Sequence, residues 1–248
     1  MTEPIDKAIE EIVKQLPVKQ IYKDGASGLT KQVGHTLTDV GKSVRLALFP
    51  FQVLAAVQDR AARFIDRSIR RVPSERRISP APQVLGPVLE SIRYEAENTP
   101  IDEMFSQLLS RAVDSERVNE AHPAYPILIK QLSPDEAKIL STLNGVTFDY
   151  IYTLDYDAKT ALFIGRKKIE VDALPKDELT FPDNVSFYFD HLHQLGLAGI
   201  FQQGNQQTLH DGPPATKQIG IRASCKYQLT DFGNRFVKAC TEGSAGAK

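Results

Sequence analysis

The sequence predicts a mainly α protein with a smaller α+β part, in which an N-terminal helical region is followed by a winged-helix-like C-terminal domain. Three observations predict it. Apolar residues recur at helical spacing through most of the first half of the chain. Prolines at positions 73, 80, 82 and 87 interrupt that pattern. From Val146 the apolar residues alternate instead, and the chain later runs Tyr227-x-Leu229-Thr230-x-x-Gly233 into a last helical stripe.

The elements follow in order. Ile5, Ile9, Ile12, Val13 and Leu16 form a first stripe, closed by Pro17. Gly25, Gly28, Gly34 and Gly41 follow, and Gly34, Thr38 and Gly41 make a small-residue stripe if that segment is helical. Leu46 to Val57 is the most apolar run; it contains Gln52 and Pro50 and is too short to span a bilayer, so it reads as a buried helix. Ala61, Phe64, Ile65, Ile69 and Val72 then line one side of an amphipathic helix, with Arg60, Arg63, Arg67, Arg70 and Arg71 on the other. Residues 1–72 are thus an N-terminal helical region, and residues 73–87 a Pro-rich extended connection.

Residues 88–122 read as a helical pair. The first helix runs from Val88 to Ala96. The second starts at Thr99, an N-cap with Pro100 at the first helical position, and carries Ile101, Met104, Phe105, Leu108, Leu109, Ala112 and Val113. Residues 127–241 read as the winged-helix-like domain. A short helix covers Pro126 to Gln131, and Ser133-Pro134-Asp135-Glu136 is a capping box that opens the next one. A hairpin, Val146 to Leu154 and Thr160 to Ile164, is an insertion relative to a minimal winged helix. Asp183 caps a helix bearing Val185, Tyr188, Phe189, Leu192 and Leu195. A second hairpin, Lys217 to Ala223 and Cys225 to Thr230, precedes a helix with Phe232, Phe236 and Val237. Residues 242–248 read as a disordered tail.

Composition narrows the function classes. The chain has 248 residues, 42% of them hydrophobic, and its 30 Lys and Arg against 31 Asp and Glu give no global attraction to nucleic acid or membrane. Cys225 and Cys240 make neither a disulfide framework nor a zinc spacing. The start, Met-Thr-Glu-Pro, has no basic segment followed by an apolar run, so a cytoplasmic location is expected. No phosphate loop, nucleophile elbow or His-Glu-x-x-His occurs. His191 and His193, two apart on a helix, do not chelate well. Asp149, Asp155 and Asp157 could form a carboxylate cluster, but a polar strand face and turn explain them without metal. No catalytic residue, metal site or cofactor is therefore assigned.

Two binding surfaces remain as candidates. A winged helix raises DNA binding, the activity of a transcriptional regulator, but phosphate contacts need Lys and Arg. None occurs between Asp177 and Thr216. The helix in the recognition position offers Asn184, Ser186, Asp190, His191 and His193, which suit a protein partner better. The second surface is Arg60, Arg63, Arg67, Arg70, Arg71, Arg76 and Arg77, opposed over residues 60–77 by Asp66 and Glu75, a local net of +5. Nucleic-acid backbone, an anionic membrane surface and an acidic partner compete for it, against a solvated face paired with carboxylates such as Glu90, Glu95 or Glu97. A homo-oligomer is a further option.

Three blocks carry a resemblance: Glu103 to Ser110, then Ala121-His122-Pro123-Ala124-Tyr125, then Ile129 to Leu140 with its Gln-Leu-Ser-Pro-Asp-Glu core. With Val33-Gly34, Val40-Gly41-Lys42, Leu46-Ala47-Leu48-x-Pro50, Leu85-Gly86-Pro87 and Ile92-Arg93-Tyr94, they resemble the abortive infection protein alpha (Abi-alpha) family from roughly residue 20 to 240. The resemblance implies a bacterial or prophage protein of phage exclusion, with a protein or phage component as partner. It carries over no catalytic residues. The expected function is non-enzymatic phage defence. The C-terminal module senses or holds the partner. The N-terminal helices are the effector, in the cytoplasm or at the inner face of the membrane.

Overall fold

The structure, a computed structural model, describes residues 59–212 and 217–241. The stripe of Ile5 to Leu16, the glycine-spotted segment, the apolar run of residues 46–57 and the tail lie outside the described residues. The chain forms two compact units, residues 1–130 and 131–248.

In the first unit, residues 59–70 are helical (α1). They are followed by α2 (Pro82–Ile92), α3 (Pro100–Ala112) and α4 (Tyr125–Ile129). The α1 stripe is buried as its spacing requires: Phe64, Ile65 and Ile69 are in the core, with Val84, Leu85, Val88 and Ile92 of α2 and Met104, Phe105, Leu108 and Leu109 of α3. Thr99 caps α3 by accepting the Asp102 amide at 3.1 Å. Small residues allow a close approach between α1 and α3, where the buried Ser68 and Ser106 hydroxyls meet at 2.9 Å. The expected extended connection over residues 73–87 differs from what is found. Helix α2 already begins at Pro82 and carries Pro87 inside it. Pro82 sits at the first helical position, where the missing amide costs nothing, and Pro87 forfeits one interior hydrogen bond.

The second unit overturns the expected fold class. It is not a winged-helix-like appendage on a mainly α protein. It is built on a five-stranded antiparallel sheet of β1 (Phe148–Asp157), β2 (Leu162–Asp172), β3 (Ala198–Gln202), β4 (Gln207–His210) and β5 (Gln218–Leu229). The order is β2-β1-β5-β3, with β4 also paired to β5. Helices α5 (Pro134–Thr142), α6 (Val185–Gln194) and α7 (Asp231–Cys240) complete the unit. The reason for the difference lies in pairing. The hairpin read as an insertion is the body of the sheet, because β1 pairs with β5 from Phe148↔Tyr227 to Asp155↔Gly220. The second expected hairpin is one continuous twelve-residue strand, β5. Its Tyr-x-Leu-Thr segment ends that strand beside β3, where Ala198 pairs with Leu229.

Pairing fixes the faces of the sheet. Tyr150, Tyr227, Cys225, Ala223 and Ile221 are buried on one face, and the Phe189 ring of α6 lies 4.5 Å from that of Tyr227. The other face is wet and carries Lys168–Asp155, Arg222–Glu170 and Lys226–Asp149 pairs. Helix α7 is held close to the turn before β3. Thr230 caps it through the Gly233 amide at 2.8 Å, and a Cβ on Gly233 would stand 1.8 Å from the Leu197 carbonyl oxygen. Glycine at the end of the motif is thus demanded by the approach of another backbone.

Candidate functional site

The exposed end of α6 is the best candidate for a partner surface, and it is built from the capping box upward. Ser133 accepts the Glu136 amide at 3.3 Å, and Glu136 Oε2 accepts the Ser133 amide at 2.7 Å. The second carboxylate oxygen of Glu136 is free for another partner, and His191 Nδ1 lies 2.6 Å from it. Glu136 is buried, so the imidazole on α6 completes the solvation that water would otherwise supply. With a carboxylate as acceptor, Nδ1 is the donating nitrogen of the ring.

Asp135, next in the same box, is buried as well. It accepts the Thr180 and Phe181 amides at 2.9 and 2.8 Å and the Tyr188 hydroxyl at 3.2 Å. Burial would raise its carboxyl, but the two amides and the hydroxyls of Thr180 and Tyr188 outweigh burial and hold it below the usual carboxylate range. Burial pushes the Tyr188 hydroxyl up, Asn184 opposes, and Asp135 pushes it up again, so it stays a donor. These two carboxylates tie α5, residues 180–181 and α6 into one frame. On that frame stand two aromatic rings in water: Phe187 is 66% exposed and Phe181 61%. The Phe187 ring stacks on His191, with centroids 6.5 Å apart and planes 18° off parallel.

The candidate partner residues are distributed as follows. His191 is half-buried in this frame, and Asn184 bonds Tyr188. Ser186 and Asp190 are exposed on α6. His193 is set apart, its ring edge-on to Phe201 of β3 at 5.9 Å. Sequence reasoning missed Phe181, Phe187 and the second role of Glu136. The available signal was Phe187, an aromatic lying off the Val185, Tyr188, Phe189, Leu192 stripe.

The arginines of the face find partners within the first unit, although the Nε atoms of Arg60 and Arg67 are buried without a hydrogen-bond partner. Arg60 and Arg67 converge on Asp102 at 2.5 and 2.7 Å. Arg63 bonds Glu97 at 2.6 Å, Arg70 bonds Asp66 at 2.8 Å, and Arg71 bonds Glu103 at 2.8 Å. Arg76 bonds Asp114 and Glu116, and Arg77 donates to the Val72 carbonyl at 2.9 Å. Asp102, fully buried, also accepts the Asn98 amide at 3.0 Å. Burial would raise it, and the bonds from Arg60, Arg67 and Asn98 together hold it below the usual range. Arg60, Arg67 and Arg71 therefore form a seam between α1 and the start of α3, while the Arg63 and Arg70 side chains stay mostly exposed. The paired reading named Glu97 among its carboxylates. Glu95 instead accepts the Thr99 hydroxyl at 2.6 Å.

On the hairpin, Asp155 pairs with Lys168, and Asp157 accepts from Lys159 and Thr160 in the turn. Among the described residues, no group of three or more His, Cys, Asp or Glu is placed to hold a metal ion. Among the same residues, no helix is long and apolar enough to cross a membrane.

Compared with known proteins, the chain matches one family model, described as abortive infection alpha, over residues 53–240. No curated protein and no solved structure matches it.

Proposed function

Because the chain belongs to the abortive infection alpha family and so has an abortive-infection-related role, we propose that it defends a bacterial cell against phage by binding rather than by catalysis. The sheet unit is the sensing module and holds a protein or phage component at the exposed end of α6. The N-terminal helical region is the effector. The observation that carries this reading is the pair of exposed rings, Phe187 and Phe181, held on a frame of buried carboxylates. Aromatic side chains on a rigid, part-polar rim are the usual anchors of protein interfaces. Asn184, Ser186 and Asp190 supply the polar rim, and the half-buried His191 lies beneath Phe187.

The test is culture survival after phage challenge at low and high multiplicity, with the wild-type chain and with Phe187→Ser and Phe181→Ser. Survival at low multiplicity and death at high multiplicity are expected with the wild-type chain. Both serine variants should lose this protection while remaining soluble, since neither ring is in the core. No survival difference for the wild-type chain across a broad phage panel would sink the defence reading. Full protection by both variants would remove the α6 end as the partner surface.

A further inference from the structure

The far end of the β1–β2 hairpin is a second surface, separate from the end of α6. The last pairs of this ribbon are regular: Asp155 faces Ile164, Tyr156 faces Phe163 and Asp157 faces Leu162. Asp157 holds the turn between them by accepting the Lys159 amide at 2.9 Å and the Thr160 hydroxyl at 3.0 Å. Leu162, Phe163 and Ile164 follow the turn at 61%, 49% and 49% exposure. Consecutive strand residues point to opposite faces. Leu162 and Ile164 therefore stand on one side of the ribbon, and Phe163 on the other, its ring 5.4 Å from that of Tyr156. Both sides of the tip thus present large apolar groups to water.

The charges around the tip are unevenly engaged. The carboxylates are taken, Asp157 by the turn and Asp155 by Lys168. Lys159, Arg166 and Lys167 are exposed, and among the described residues none of the three has a carboxylate partner. Lys167 lies instead over the Tyr152 ring, 4.7 Å from its centroid.

A flat partner covers one side of such a ribbon. Burying Leu162 and Phe163 together needs surroundings that close round the tip and carry negative charge just behind it. The boundary of an anionic bilayer has that order, apolar chains first and charged headgroups next. Tyr156 and Phe163 are the ring type that collects at such boundaries. Arg166 and Lys167 follow Ile164 within about 10 Å along the strand, comparable to the depth of about 5–10 Å to which interfacial segments sink. A contact of this kind needs no continued strand ladder, so the register shift opposite residues 165–167 is no obstacle. Among the described strands β2 pairs with β1 alone. Unpaired backbone groups do not enter hydrocarbon, so the tip goes no deeper than the wet boundary.

The geometry points to a peripheral membrane contact: the hairpin tip sinks Leu162, Phe163 and Ile164 shallowly into a lipid surface, where Lys159, Arg166 and Lys167 meet anionic headgroups.

The experiment is flotation of the full chain with vesicles of phosphatidylcholine, alone or with phosphatidylserine added. The wild type should float with the anionic vesicles only, and salt should release it. Arg166→Glu combined with Lys167→Glu should weaken partition by about fivefold or more for each cation removed. Leu162→Ser combined with Phe163→Ser should weaken it too. All four side chains are on the surface, so circular dichroism should be unchanged. A second measurement needs neither double variant. Ala158→Cys, labelled with an environment-sensitive dye, reports the tip alone, because Cys225 and Cys240 are buried. Its emission should shift to the blue with anionic vesicles and stay put with neutral ones. No flotation with anionic vesicles overturns the proposal. So does flotation that both double variants leave unchanged, or a dye that does not shift, since the lipid is then held by another part of the chain. Blue emission before any vesicle is added overturns it in favour of a second copy on the tip.

Discussion

Replacing Asp102 with asparagine keeps its shape and removes its charge, which isolates what the buried carboxylate contributes. In the folded chain it is fully buried and receives Arg60, Arg67 and the Asn98 amide. The two guanidinium groups are 12% and 32% exposed, so losing the carboxylate leaves two partly desolvated cations. Breaking a buried ion pair costs about 3–5 kcal/mol. Arg67 keeps some water, and Glu97 lies 3.6 Å from Arg60, so the low end, about 3 kcal/mol, applies here. Urea unfolding at neutral pH should show it as a midpoint lowered by about 1 M or more. Amide exchange should place the loss in residues 59–130. The pH dependence has a definite sign. The folded carboxyl is held below its unfolded value of about 3.9, so its stabilisation is complete above that value and is lost as pH falls through the folded one. The variant and wild type should converge in strong acid. A cost below about 1 kcal/mol at neutral pH, or a difference undiminished in acid, would refute the reading of the arginine face as a structural seam.

Other outcomes follow from the same geometry. Gly233→Ala should abolish soluble accumulation, because a Cβ 1.8 Å from the Leu197 carbonyl forces backbone apart, a cost above about 4 kcal/mol; a soluble variant with wild-type melting would refute it. Ser133→Ala should lower stability by about 1 kcal/mol in a thermal melt, the ordinary worth of a helix cap. Tyr188→Phe should cost less than about 1 kcal/mol, because Asp135 keeps two backbone donors. Cys225 and Cys240 should both resist iodoacetamide in the folded chain and react after denaturation. Burial pushes the Cys225 thiol up, with Lys167 partly opposing, and Cys240 has no exposed surface.

Local signals in the sequence were legible wherever backbone chemistry fixes them. Thr99-Pro100 and Ser133 to Glu136 open helices with the expected cap bonds, and the alternation from Val146 is strand β1. Pairing between distant segments was not legible. Nothing local reveals that β1 lies against β5, so a central hairpin was read as an insertion, and with it went the fold class. Strand β2 was read as far as Ile164 and runs to Asp172, because Arg166 to Lys168 hide a strand that is wet on both faces. Strand β3 was missed, and so was β4, whose Gln207 to His210 carries no apolar alternation. Helix α2 was placed too late because prolines were read as breakers, although the first turn accepts one. At the candidate site, the α6 residues were visible as a polar helix face. The buried Glu136–His191 contact was not, since it joins residues of two helices far apart in sequence.

The pairing of β1 with β5 has a consequence for synthesis. As the chain leaves the ribosome, the β1–β2 hairpin emerges well before the strand that will cover its inner edge, because β5 is the last of the described strands. Until then Tyr150 and Tyr152 stand on a ribbon of two strands, which is marginal in water without a third. The helices of the first unit need only neighbours already made. The sheet therefore closes late, as contacts of large sequence separation do. A nascent chain that stops short of β5 leaves the sheet open, with its apolar face presented to chaperones and proteases. Completion of β5 is thus the step on which closure of the sheet waits.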